Sequence, residues 1–129
     1  NEKTRGELVS FAKSLGLKAK ASNNFAKSAK TVDLVISTLP AATLDETASK
    51  LLKSALFKPR GAVMDVAYKP WPSEFAKVWI KHDKTVISGL EMLLWQAVAQ
   101  IRLFTNSDVS TALPNEIAVI QAMRHALED

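Results

Sequence analysis

Apolar residues recur along the chain with two different periods. A helical period covers residues 3–15, 45–56, 74–81 and 114–127, and a further helix of about sixteen residues begins at Gly89. Short apolar or β-branched runs, typical of strands, cover residues 17–20, 31–36, 62–66 and 85–87. Strands that alternate with helices build a parallel sheet with helices on its faces, so the pattern predicts an α/β fold.

Several helix ends carry residues with distinct conformational preferences. Gly16 tolerates the left-handed conformation and ends the first helix. Ser73 caps the helix that follows it, and Thr43 or Asp45 caps the helix over residues 45–56. The apolar stripes are Leu8, Phe11, Ala12 and Leu15 in the first helix, and Leu51, Leu52, Ala55 and Leu56 in the helix over residues 45–56.

One strand is apolar along nearly its whole length. Residues 31–36 are rich in β-branched side chains and contain a single charged residue, Asp33. Strands of this composition are typical of the centre of a parallel sheet, where helices cover both faces. We therefore expect residues 31–36 to form a central strand.

Composition excludes several classes of protein. The chain has 129 residues, of which 47% are apolar and none is cysteine, so one core without disulfides is expected. Its longest apolar run, residues 90–94, is interrupted by Glu91, which excludes a membrane-spanning helix. The lack of cysteine fits a reducing compartment, and we expect the cytoplasm. Because the chain begins at Asn1 instead of a methionine, we also expect it to be part of a longer polypeptide.

Positive charge is concentrated near the amino terminus. Residues 1–30 carry seven Lys and Arg against two acids, whereas residues 31–129 carry ten against eleven. The basic residues are scattered, and only Phe11 and Phe25 lie among them as rings that could stack on bases. This distribution favours a solvated face over a nucleic-acid surface.

Polar and conformationally unusual residues follow three of the predicted strands. These segments cover residues 37–40, 65–70 and 88–92. In an open parallel sheet, ligands bind outside the carboxyl ends of the strands, where backbone amides and helix starts converge. We therefore expect these three segments to form one ligand-binding edge.

Four residues of this edge could contact a ligand. Gly89 would let a ring lie against bare backbone, and Met92 could place its thioether on that ring, although core packing explains Met92 equally well. Gln96, one helical turn after Met92, can both donate to and accept from a hydroxyl, and its apolar neighbours argue against full exposure. Tyr68 can donate one directed hydrogen bond, or can be a half-buried loop aromatic.

Other polar residues have simpler interpretations. Asp65 could act as an acid or base, but a carboxylate at a strand end more often accepts backbone N–H bonds from the following loop. His82 and His125 lie in charged surroundings and are expected to be solvated. The sequence contains no spacing typical of a metal site, no nucleophile elbow and no phosphate-binding loop. We therefore assign no metal ligand and no catalytic residue.

Two motifs in this region resemble a known family. Residues 65–70 have the pattern D-x-x-Y-x-P and residues 89–97 the pattern G-x-x-M-L-x-x-Q-A. Together with the helix over residues 114–127, they resemble the C-terminal cofactor domain of shikimate dehydrogenases. That family interconverts 3-dehydroshikimate and shikimate with NADP(H), using an N-terminal substrate domain and a C-terminal Rossmann-like domain. The resemblance implies a Rossmann-like sheet and NADP as cofactor.

The resemblance also implies roles for residues around the substrate and the nicotinamide. Tyr68 would reach the carboxylate side of the substrate, and Gln96 would hydrogen-bond a substrate hydroxyl. Gly89 and Met92 would hold the nicotinamide. Glu91 stands where the family often has a small residue, so its carboxylate would point away from the nicotinamide site.

Two further segments correspond to cofactor contacts of the family. Ser37, Thr38 and Leu39 match the strand end that lies along the cofactor, although Leu39 departs from the usual small polar residue there. Lys3, Thr4 or Arg5 would remain from the pocket that meets the adenosine 2′-phosphate.

The resemblance further implies that parts of the enzyme lie outside this chain. The catalytic Lys and Asp of the family and its glycine-rich turn would precede Asn1, so the chain alone is expected to be inactive. The first strand-helix unit of the Rossmann-like fold would be missing, which leaves an open edge beside residues 32–37. Either preceding residues complete this edge, or two copies associate as a homodimer.

The resemblance divides the chain into two parts. Residues 1–105 would form the partial NADP-binding domain, and residues 106–129 a C-terminal helix that packs back toward the substrate domain. Two alternatives remain open at this point: a quinate/shikimate dehydrogenase, and a nucleotide-binding module without catalytic activity.

Overall fold

Three short parallel strands form the centre of the molecule, for which a computed structural model describes residues 2–128. The strands are β1 (Leu34–Ser37), β2 (Ala62–Asp65) and β3 (Val86–Ser88), in the order β1-β2-β3. Helices connect successive strands and lie against the sheet. The α/β fold predicted from the apolar periods is confirmed.

Six helices occur among residues 2–128. They are α1 (Glu2–Ser14), α2 (Phe25–Ala29), α3 (Asp45–Lys53), α4 (Glu74–Ile80), α5 (Gly89–Asn106) and α6 (Glu116–Glu128). None of them is long and apolar enough to cross a membrane.

The core lies between the sheet and the pair of helices α3 and α4. Its largest fully buried side chains include Trp79, Phe57 and Phe75, and the ring centroids of Phe75 and Trp79 are 4.9 Å apart. The indole N–H of Trp79 donates to the carbonyl of Gly61, 3.1 Å away, so this large ring is buried without an unpaired donor. His82 packs edge-on against Phe57 and is half-buried, so the prediction that it is solvated was wrong.

Two of the predicted helix ends are confirmed. Gly16 has a φ of +77°, and the N–H of Leu17 donates to the carbonyl of Ala12, which closes α1 with a left-handed cap. The hydroxyl of Ser73 accepts from the N–H of Ala76 at 3.0 Å and caps α4.

The predicted start of α3 at Asp45 is confirmed, but its predicted cap and its predicted end were wrong. Leu44, and not Thr43 or Asp45, stands at its N-cap position and makes no side-chain cap. The helix ends at Lys53 because the backbone at Ser54 is extended. As a result Leu56 is 83% exposed, and Phe57 occupies the core instead.

The segment between α1 and β1 also differs from the prediction. Residues 17–20 form no strand, because no described strand lies beside them to complete a ladder. The short helix α2 was not predicted. Asn24 caps it by accepting from the N–H of Lys27 at 2.9 Å, and this cap followed by apolar residues was its signal in the sequence.

Strand β1 lies at the edge of the described sheet and not at its centre. It begins at Leu34, and the side chains of Leu34 and Ile36 are 45% and 56% exposed. Val35, between them, faces the core. The expectation of a strand covered on both faces was therefore wrong: among residues 2–128 the face that carries Leu34 and Ile36 is only partly covered.

Helix α1 is amphipathic but has no buried residue. Leu8, Phe11 and Leu15 on its apolar stripe are each more than half exposed. Its stability among the described residues therefore comes from its own hydrogen bonds and its left-handed cap.

Helix α5 starts in close contact with the end of β2. A Cβ placed on Gly89 would lie 1.9 Å from the carbonyl oxygen of Val66, a distance that no side chain tolerates. Ser88 caps the helix by accepting from the N–H of Glu91 at 3.4 Å. The absence of a side chain at Gly89 is what lets the helix begin directly at the sheet.

Helices α5 and α6 form an antiparallel hairpin held by ion pairs. Near the turn, the Nε of Arg102 donates to the Oε2 of Glu116 at 2.7 Å, and the same oxygen accepts from the N–H of Leu113 at 3.0 Å. The hydrogen bonds from Arg102 lower the pKa of Glu116 from its ordinary value of 4.5 to about 2. Arg102 also holds the loop between the two helices, because it donates to the carbonyl of Val109 at 3.0 Å.

The contact between Gly89 and Val66 predicts opposite outcomes for two glycine substitutions. Gly89→Ala is expected to lower the free energy of unfolding by about 1 to 3 kcal/mol, because the new methyl group meets backbone that cannot move aside. Gly6→Ala is the matched control, since nothing lies within 4 Å of a Cβ there. It should leave the free energy unchanged or raise it by up to about 1 kcal/mol. Urea unfolding followed by circular dichroism measures both; equal effects would contradict the contact.

The ion pair at the hairpin turn predicts a defined pH dependence. The pKa of Glu116 is depressed in the folded chain, so the pair stabilises the fold above pH 4.5 and loses this contribution as the pH falls toward about 2. Unfolding of the native chain and of Glu116→Gln should therefore differ at pH 7 and converge in acid. A difference that stays constant from pH 7 to about pH 2 would show that the charge of Glu116 is not responsible.

Candidate functional site

The carboxyl ends of the three strands are aligned in one row. Ser37 pairs in register with Asp65, and Asp65 pairs with Ser88. Ser37 and Asp65 are 7% and 3% exposed, so two of the three end residues are buried polar groups. The loops that follow these residues therefore leave the sheet at the same edge, as the sequence predicted.

A crevice of about 470 Å³ lies at this edge, between the loops that follow β1 and β2. It is lined by Thr38, Leu39, Pro40, Ala41, Val66, Ala67, Tyr68 and Lys69. Tyr68 is 49% exposed and Leu39 is 43% exposed, so both present accessible surface at the crevice. Three of the residues singled out in the sequence, Thr38, Leu39 and Tyr68, thus meet at one cavity.

Asp65 shapes the loop that forms one wall of this crevice. Its Oδ1 accepts from the N–H of Ala67 at 3.3 Å, and its Oδ2 accepts from the hydroxyl of Ser73 at 2.6 Å. Because Ser73 also caps α4, one buried carboxylate ties the end of β2 to the start of the next helix. The expectation that Asp65 accepts a backbone N–H from the following loop is confirmed.

Gly89, Met92 and Gln96 lie beyond the crevice, on α5. The close approach of Gly89 to Val66 gives this glycine a packing role, and its backbone is buried. Met92 is 36% exposed. Gln96 is exposed as well, and its apolar neighbours Leu94 and Val98 are buried on a different side of the helix.

Glu91 is held by the last helix. Both guanidinium nitrogens of Arg124 on α6 donate to its carboxylate, one of them at 3.1 Å. These hydrogen bonds hold the pKa of Glu91 below its ordinary value and keep the carboxylate ionised. The carboxylate is therefore directed toward α6.

The basic residues near the amino terminus do not line the crevice. Arg5 lines a separate cavity of about 320 Å³, together with Glu2, Gly6, Ala21 and Asn23. Lys3 lies in the same first turns of α1 and is absent from the crevice lining. The structure therefore does not bring Lys3 or Arg5 together with Thr38, Leu39 and Tyr68.

The one charged residue that lines the crevice was not among the candidates from the sequence. Lys69 is the sole charged side chain among the residues that line the crevice. Its position could have indicated this role, because Lys69 directly follows Tyr68 in a loop that leaves the carboxyl end of a strand.

A family model supports the assignment made from the motifs. Residues 89–113 match the model described as the shikimate 5'-dehydrogenase C-terminal domain. This region includes Gly89, Met92 and Gln96 and ends within the turn between α5 and α6.

Related sequences also indicate a shikimate dehydrogenase. The chain is 30% identical over 98 residues to a shikimate dehydrogenase (NADP(+)) of Leptospira interrogans, a match that covers 76% of this chain and 33% of that protein. The chain thus spans a third or less of the curated relatives it matches.

Its fold matches the crystal structure of Mycobacterium tuberculosis shikimate dehydrogenase with a TM-score of 0.76 and 27% identity, covering 98% of this chain and 44% of that one. A Thermus thermophilus shikimate 5-dehydrogenase, solved in complex with NADP(H) and shikimate, matches with a TM-score of 0.62 and 25% identity, covering 95% and 43%. Sequence, family model and fold all indicate the C-terminal part of a shikimate dehydrogenase.

Proposed function

We propose that this chain supplies the cofactor-binding part of an NADP-dependent shikimate dehydrogenase, which interconverts 3-dehydroshikimate and shikimate. The observation that carries the proposal is the crevice at the carboxyl edge of the sheet, where Thr38, Leu39 and Tyr68 meet. A relative solved with NADP(H) and shikimate shares the fold of this chain over 95% of its length. Both points support the crevice as the cofactor site.

The chemistry of the crevice suits a dinucleotide. A volume of about 470 Å³ lies within the range of small-molecule sites, roughly 300 to 1,000 Å³. Most lining residues are apolar, as a nicotinamide ring requires, and Thr38 and Tyr68 add hydroxyl groups that can orient a ligand. When bound, NADP(H) supplies the hydride that is exchanged with the substrate.

The residues of this chain would hold and orient the reactants. Leu39 offers an apolar surface to the cofactor, and the phenol of Tyr68 can donate a hydrogen bond to a substrate oxygen. Asp65 keeps Tyr68 in place through its bonds to Ala67 and Ser73. Gln96 lies two turns into α5, and its match to the family motif is the basis for proposing that its amide hydrogen-bonds a substrate hydroxyl.

The proton that accompanies hydride transfer needs an acid or base at the reacting oxygen. Tyr68 and Lys69 are the titratable side chains that line the crevice. We assign neither as the proton donor, and we infer that this group comes from the substrate domain. The chain alone is therefore expected to bind ligand without turnover.

Binding of NADPH to the purified chain tests the proposed function. We expect weak, saturable binding, measured by the change in NADPH fluorescence. Leu39→Asp should weaken binding by about tenfold or more, because it places a carboxylate beside an anionic ligand in the crevice. Leu56→Asp is the matched control: Leu56 is 83% exposed and lies outside the crevice, so NADPH affinity should not change. Identical affinities of the two variants would overturn the assignment.

Substrate recognition is tested in the polypeptide that carries the substrate domain as well. There, Gln96→Ala is expected to weaken shikimate binding by about 1 to 3 kcal/mol, because a substrate hydroxyl loses its partner. Affinity for NADPH should stay the same, and quinate assayed in parallel tests the broader substrate range. Unchanged affinity for shikimate would remove Gln96 from the site.

A further inference from the structure

The crevice has an unusual charge distribution for the ligands proposed for it. Dinucleotides carry phosphates and shikimate carries a carboxylate, so each brings negative charge into the site. Of the eight residues that line the crevice, seven are uncharged. Lys69 is the exception, and its ammonium group is the local source of positive charge.

Among residues 2–128, several basic residues around the sheet and its helices are already paired with a carboxylate, and Lys69 is not. Lys50 is paired with Glu46, Lys77 with Glu74, and Arg60 with Asp33. Lys69 makes no hydrogen bond or ion pair with any of residues 2–128, and it is exposed. Its ammonium group is therefore available to an external anion without breaking an existing pair.

The backbone that carries Lys69 is held in place from both sides. On one side the N–H of Ala67 donates to Asp65, and on the other Ser73 donates to the same carboxylate. A cation on a loop tied at two points costs less conformational entropy to place than one on a free loop. Lys69 also follows Tyr68 directly, so its ammonium and the phenol can act on the same ligand.

We propose that Lys69 is an oxyanion-pairing residue of this crevice, which binds a phosphate of the cofactor or the carboxylate of the substrate. The inference rests on the proposed function and adds to it a residue that determines ligand affinity. A cation at the crevice attracts anions over roughly 10 Å at moderate ionic strength, so its contribution depends on salt.

The test compares Lys69→Met with Lys69→Arg and Lys84→Met in the 129-residue chain. Lys69→Met removes the charge and keeps an apolar stem, whereas Lys69→Arg keeps the charge. Lys84→Met removes the same charge just before Thr85 and β3, at the amino ends of the strands and away from the crevice. Affinities for NADPH, NADH, shikimate and inorganic pyrophosphate are measured by isothermal titration calorimetry at low and high salt.

Lys69→Met is expected to lower the affinity for at least one of these ligands by about threefold to tenfold at low salt. High salt should reduce this difference in affinity between Lys69→Met and the native chain. Lys69→Arg should bind nearly as well as the native chain, and Lys84→Met should bind equally well. If Lys69→Met loses affinity for NADPH, NADH and pyrophosphate together, Lys69 contacts the diphosphate. If it loses affinity for NADPH alone, Lys69 contacts the 2′-phosphate, and if it loses affinity for shikimate alone, Lys69 contacts the substrate carboxylate.

Two other results separate this inference from the proposed function. If the native chain binds NADPH and Lys69→Met binds every ligand equally well, the role of Lys69 is overturned while the function stands. If pyrophosphate binding depends on Lys69 but neither NADPH, NADH nor shikimate binds, the oxyanion site stands and the proposed function falls. Binding of no ligand at all by the native chain overturns both.

Discussion

Parallel pairing in register is the constraint on which the rest of the structure depends. It places Ser37, Asp65 and Ser88 in one row, so that three loops leave the sheet at the same edge. A shift of one strand by a single residue would turn Asp65 from a buried position toward the opposite face. The carboxylate would then lose its bonds to Ala67 and Ser73, and the wall of the crevice would lose its support.

The two halves of the molecule are stabilised in different ways. Helices α3 and α4 cover the sheet with a core of aromatic and aliphatic side chains, in which Trp79 and Phe57 are fully buried. The hairpin of α5 and α6 relies more on charge, with Arg102 bound to Glu116 near the turn and Arg124 bound to Glu91 near the open end. Salt should therefore affect the hairpin more than the core.

Much of the apolar surface of this chain has no cover among residues 2–128. Leu34 and Ile36 on β1 and the stripe of α1 are exposed, although their patterns are those of buried elements. A periodic sequence pattern shows which face of an element is apolar but not what covers that face. The chain spans a third or less of its curated relatives, and residues 32–37 lie at the edge that the resemblance leaves open.

The sequence by itself determined the α/β class, the caps at Ser73 and Gly16, and the three strand ends that share one edge of the sheet, because these follow from local preferences and from the period of apolar residues. Only the tertiary structure decided that the side chains of Leu34 and Ile36 are exposed, that Gly89 is needed for contact with Val66, and that Lys69 lines the crevice. Each of these depends on which distant residues come close, and distances between elements are set by packing, which no local pattern contains.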